Sequence, residues 1–70
     1  MVNKAKLRAI MIENGDTYES LAREIGCTTS TFSLKINGET SNGFTQPEIK
    51  AIRNRYALTD EDVIQIFFAN

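Results

Sequence analysis

The stretch Thr17–Gly38, TYESLAREIGCTTSTFSLKING, decides the fold of this 70-residue chain. Leu21, Ala22 and Ile25 fall at i, i+1 and i+4, an apolar stripe of helical period, and Gly26 ends that helix because it accepts a positive φ without a Cβ clash. A second helix starts almost at once. Thr28 is a suitable N-cap, Phe32 and Ile36 lie four apart on one face, and Asn37-Gly38 supplies the residue that closes the helix. The pattern describes two short helices meeting at a sharp corner. One face of the second is packed and the other is free, as in a probe that enters a groove.

Upstream, the spacing of Leu7, Ile10 and Met11 predicts a helix from near Asn3 to Asn14-Gly15. Lys4, Lys6 and Arg8 crowd its first turns, where cations oppose the helix dipole by about 0.3–1 kcal/mol each. They read either as a solvated face or as charges beside a phosphate backbone. Asp16 or Thr17 caps the second helix, and Asp16 with Glu19 has the spacing of a capping box.

Downstream, Glu39–Phe44 is a polar loop containing Asn42-Gly43, with Phe44 expected against the core. Thr45-Gln46-Pro47-Glu48 is an N-terminal signature: Thr45 caps, Glu48 returns the cap, and Pro47 occupies a first-turn site. The fourth helix then carries Ile49, Ile52 and Tyr56 inward, with Lys50, Arg53 and Arg55 on its other sides. Thr59 opens a fifth helix, and Asp60, Glu61 and Asp62 favour its positive end. Val63, Ile66 and Phe67 line one face of this last helix; Ile64 and Phe68 line another. Apolar surface on both sides points to a partner, so residues 59–70 are expected to serve dimerisation, with Ile64, Phe67 and Phe68 at the interface.

Composition narrows the function. A chain this short builds one small core, so residues 1–70 are expected to form a single domain. Net charge is −1, which argues against strong non-specific attraction to polyanions, yet all eight basic residues precede Leu58 and face only six acids there. Histidine is absent and Cys27 is the one cysteine, so no internal disulfide or thiolate zinc site can form. Met-Val-Asn-Lys lacks a signal-peptide apolar core and every apolar run is too short to span a bilayer, so the expected location is the cytoplasm. The usual catalytic parts are missing: no histidine base, no activating partner for Cys27 and no glycine-rich phosphate loop. Neither an enzyme, a cofactor nor a small-molecule substrate is indicated.

The corner between the second and third helices carries a more specific signal. Counted from Tyr18, Leu21 is the fourth residue, Ala22 the fifth, Gly26 the ninth and Phe32 the fifteenth, and Asn37-Gly38 closes the unit. This resembles the helix-turn-helix of the lambda repressor and Cro-like family, the XRE-type regulators of phages and bacteria. The small fifth residue lets two helix backbones approach, the ninth makes the turn, and the apolar fourth, eighth and fifteenth lock the crossing. The resemblance implies an all-α, compact five-helix lambda-repressor-like domain with its helix-turn-helix at helices two and three.

The resemblance further implies a sequence-specific transcriptional regulator, repressor-like or Cro-like, that binds a double-stranded DNA operator as a homodimer. If phage-encoded, it would work in the host cytoplasm. The third helix becomes the recognition helix, with Thr28, Thr29, Ser30, Ser33 and Leu34 facing the major groove and Asn37 meeting the backbone. Tyr18 stands where relatives often carry Gln, and its hydroxyl replaces that amide at a phosphate. Lys35 stands at a commonly apolar place, which predicts a side chain along the surface with its ammonium free for phosphate. Thr45 and Gln46, at the start of helix four, and the Gly38–Phe44 loop are further phosphate candidates. Where some relatives pair an Arg with a Glu, this chain has Met11 and Ile36, an apolar substitute. The alternative is a protein-interaction module or antirepressor on the same fold, without specific DNA binding.

Overall fold

A side-chain cap starts each helix. In the computed structural model, which describes residues 2–38 and 43–68, α1 is Lys4–Glu13, α2 Tyr18–Ile25, α3 Thr29–Ile36, α4 Gln46–Tyr56 and α5 Asp60–Phe67. Residues 39–42 of the polar loop, and Ala69 of the expected last helix, lie outside the described residues. Asn3, Thr17, Thr28, Thr45 and Thr59 each accept a hydrogen bond from a first-turn backbone N–H. Such a cap contributes about 1 kcal/mol, a large share for helices only two or three turns long. Reciprocal boxes form at Thr17/Ser20, Thr45/Glu48 and Thr59/Asp62.

The Asp16/Glu19 box does not form. Thr17 is the cap, Glu19 turns to Arg23 one turn along, and the Asp16 carboxylate is taken by groups of α4. The charged Arg55 guanidinium is a stronger partner for this carboxylate than a neutral first-turn backbone N–H.

The five helices close on one cluster. Leu7 and Met11 of α1, Leu21 and Ala22 of α2, Phe32 and Ile36 of α3, Ile49 and Ile52 of α4, and Ile66 and Phe67 of α5 are buried in it together with Phe44. Met11 and Ile36 are both in this cluster, so these two positions are apolar and buried as expected. A ladder of edge-to-face rings runs through it: Tyr18 to Phe32 at 5.1 Å, Phe32 to Phe44 at 5.7 Å and Phe44 to Phe67 at 5.4 Å. Such ring pairs add about 0.5–1.5 kcal/mol each beyond the area they bury. The ladder links α2, α3 and α5 through Phe44, which stands just ahead of the Thr45 cap of α4.

Phe67 is therefore a core residue and not a surface one, while Ile64 and Phe68 on the same helix remain more than half exposed. The period of α5 explains the difference: Val63, Ile66 and Phe67 share the inward stripe. The N-terminal segment is tied to this helix, since Asn3 N donates to the Ile66 carbonyl at 2.6 Å.

Candidate nucleic-acid interface

Helices α2 and α3 meet at Gly26, whose φ of +82° makes the C-cap of α2. Its amide and that of Cys27 return to carbonyls of the last turn of α2, so the corner is a closed hydrogen-bonded turn. Ala22, only 1% exposed, is buried in the core beside Leu21, and a larger side chain there would drive the packing apart. Burial, with Glu48 nearby, pushes the Cys27 thiol pKa up despite the opposing charge of Lys35, which keeps this turn thiol protonated.

With Phe32 and Ile36 turned inward, the opposite side of α3 is solvent-facing. Thr28, Thr29, Ser30 and Asn37 are exposed, Ser33 is half-buried, and Leu34 is 45% exposed. Thr28 is committed to the cap: its hydroxyl accepts from Thr31 N and donates to Thr31 Oγ1. The hydroxyls of Thr29, Ser30 and Ser33 have no hydrogen-bond partner among the described residues. This face combines unspent donors and acceptors with one apolar side chain, which is the chemistry that meets base edges and a thymine methyl.

Tyr18, the first residue of α2, is half-buried with its ring against Phe32 and its hydroxyl unpartnered among the described residues. At the start of α4, Gln46 is exposed and its N–H lies in the unsatisfied first turn, whereas the Thr45 N–H is given to Glu48 Oε1 at 2.8 Å.

Lys35 differs from its expected role. Its ammonium is bonded to Glu48 Oε1 at 2.5 Å, its side chain is 12% exposed, and it stands 6.0 Å from the Phe44 ring centre. Burial opposes ionisation of Glu48, but the bonds from Lys35 and Thr45 outweigh it and hold the carboxyl below its usual range. The ammonium is not free, because α4 brings its capping carboxylate against the last turn of α3. The sequence carries no local sign of this pair.

Two further contacts escaped the sequence. Lys4 Nζ donates to Asn37 Oδ1 at 2.6 Å, joining the start of α1 to the end of α3. Asp16, just before α2, accepts from Arg55 Nε and Nη2 at 2.9 and 2.7 Å, from the Tyr56 hydroxyl at 2.5 Å and from Ser20 Oγ at 2.9 Å. Arg55, then Tyr56 and Ser20, hold its carboxyl well below the usual carboxylate range against the cost of burial. Burial first and Asp16 second push the Tyr56 phenol up. This clamp fastens the N-terminal end of the helix-turn-helix to the C-terminal end of α4.

Five capped helices on one core, with the second and third joined at a glycine corner and the third presenting a polar outer face, define a helix-turn-helix DNA-binding protein. More particularly, the chain belongs to the Cro/C1-type HTH DNA-binding family, whose model matches residues 6–59. That span runs from α1 through the cap of α5. No curated protein and no solved structure gives a significant match. No helix among the described residues is long and apolar enough to cross a membrane, and none of their acidic and cysteine side chains cluster as metal ligands.

Proposed function

We propose that this chain is a single-domain transcriptional regulator that occupies an operator as a homodimer, with one α3 helix in each of two successive major grooves. The observation that carries the reading is the outer face of α3, where the unspent hydroxyls of Thr29, Ser30 and Ser33 surround an exposed Leu34. An apolar residue in the middle of a polar helical face is uncompensated in water and is covered when it packs on a thymine methyl. No Arg, Asn or Gln lies among these central residues, so the bidentate base contacts worth about 1–3 kcal/mol each are not available. Selectivity then rests on hydroxyl contacts, methyl packing and groove shape.

A homodimer supplies the second half of that selectivity. Ile64 of α5 and Phe68 at its C-cap, 57% and 52% exposed, offer apolar surface to a second copy, and a two-fold pairing there would set half-sites about 34 Å apart. Phe67 would support this surface from beneath, through Phe44.

Selection of binding sequences from a random duplex pool, followed by fluorescence anisotropy, tests the reading. The selected sites should be palindromic with thymine-containing half-sites, and Leu34→Ala or Ser30→Ala should relax preference at one position each. Failure of the wild-type chain to bind any duplex at low salt would refute it. Sedimentation equilibrium of wild type and Phe68→Asp tests the dimer: a wild type that stays monomeric both free and on selected DNA excludes it.

A further inference from the structure

A chain of net charge −1 that binds a polyanion must present cations that its own carboxylates do not neutralise. Most of its cations fail that condition. Lys6 is paired with Asp62, Arg23 with Glu19, Lys35 with Glu48, Arg53 with Asp60, and Arg55 with both Asp16 and Glu24. Among the described residues, Lys4, Arg8 and Lys50 meet no carboxylate.

Lys4 and Arg8 stand one turn apart on α1, hence on one flank of that helix. Lys4 reaches the C-terminal end of α3 through its bond to Asn37. With Oδ1 so occupied, the Asn37 amide keeps its two N–H donors. Arg8 lines a surface hollow with Ile12, Thr17 and Tyr18, at the N-terminal end of α2. The one acid of that hollow, Asp16, is already met by Arg55. Lys6, on the other flank, is drawn to Gln65 and Asp62 of α5. Helix α1 is thus basic and unpaired only toward the helix-turn-helix.

We infer that Lys4 and Arg8 are phosphate-contacting cations of this chain, a basic edge on α1 that receives the DNA backbone beside the helix-turn-helix, whereas Lys35 is not one. The inference rests on the DNA-binding reading above. Lys4 lies outside the span matched by the family, so its assignment comes from its bond to Asn37. Both side chains can take a phosphate without breaking an internal ion pair. Recruiting Lys35 would instead strip a partner from Glu48, whose side chain is 13% exposed, and leave that charge uncompensated. Tyr18 lines the same hollow as Arg8, so its hydroxyl is a candidate to share that phosphate.

Anisotropy titrations on a random-sequence duplex, where binding is almost wholly to phosphate, read the effect directly as the slope of log affinity against log salt. Lys4→Gln and Arg8→Gln are each expected to flatten that slope by about 1, and the double variant by about 2, with unchanged circular-dichroism melts. Arg53→Gln removes the same charge at the α4–α5 corner and should keep the wild-type slope; Lys4→Arg and Arg8→Lys should restore it. A double variant with the wild-type slope overturns the inference and leaves the proposed function standing. Equal flattening by Arg53→Gln also overturns it, by showing that net charge alone sets the slope. Absence of wild-type binding at low salt overturns both.

Discussion

Replacing Asp16 by Asn tests the clamp between α2 and α4 with almost no change in shape. The carboxylate accepts four hydrogen bonds, two of them from Arg55, and its side chain is only 7% exposed. Asn keeps one acceptor and turns an N–H group toward donors. Hydrogen bonds to a buried charge contribute about 1.5–3 kcal/mol, but the Arg55 side chain is 31% exposed and solvent screens it, so the expected cost is about 2 kcal/mol. Against a total stability of about 5 kcal/mol for a domain this small, that is a large fraction. It corresponds to a fall in melting temperature of about 10 °C.

Urea denaturation followed by circular dichroism measures the loss, and a cycle with Tyr56→Phe isolates the part carried by the phenol, expected at about 1 kcal/mol. The clamp also has a pH signature. The folded carboxyl is held below its ordinary value of 3.8, so the unfolded chain binds the extra proton between the two values. The stabilisation is therefore complete above about pH 5 and is lost as pH falls through 3.8 toward the folded value. The gap between wild type and Asp16→Asn should shrink across that window. A cost below about 0.5 kcal/mol, or a gap that stays constant down to pH 2, would refute the assignment of a buried charged clamp.

Other expectations are more local. Gly26→Ala places a Cβ in open space but at φ +82°, so the cost should be purely conformational, about 1 kcal/mol, with helix content retained. Ala57 ends α4 at φ +51° with the same penalty already present, and Ala57→Gly should raise the urea midpoint by the equivalent of up to about 1 kcal/mol. Phe44→Ala breaks the ring ladder at its middle and should cost about 3–4 kcal/mol, enough to leave much of the chain unfolded at 37 °C; a melt close to wild type would show that the ladder is not what joins α3 to α5. Lys35→Met, which leaves Glu48 unpaired in a nearly buried site, should lower stability in chemical denaturation without flattening the salt dependence of DNA binding.

Most of the framework was legible in the chain because capping, turn formation and apolar periodicity act over four residues or fewer. Thr28, Thr45 and Thr59 cap where their sequence context predicts, Gly26 turns the chain at the corner, and Phe32 and Ile36 are buried at the expected spacing. Phe44 could be placed against the core because an aromatic in a polar loop has nowhere else to bury its ring. The pairing of Lys35 was not legible, for the opposite reason. Its partner Glu48 lies 13 residues away and was already accounted for as a capping residue, and nothing local shows that one carboxylate serves both.

The amino-acid sequence by itself determined five helices, the caps of α3, α4 and α5 and the helix-turn-helix corner, since each of these is a short-range balance of backbone hydrogen bonding and apolar period. Only the tertiary structure decided how the charges are spent. Asp16, one of two candidate caps of α2, is taken by Arg55 and Tyr56, 39 and 40 residues away, Lys35 is claimed by Glu48, and among the described residues Lys4 and Arg8 are left without carboxylates on a flank of α1 that meets Asn37 and the start of α2. Ion pairs form between whichever side chains the packed helices bring within a few ångströms, and that proximity is set by the core, not by spacing along the chain.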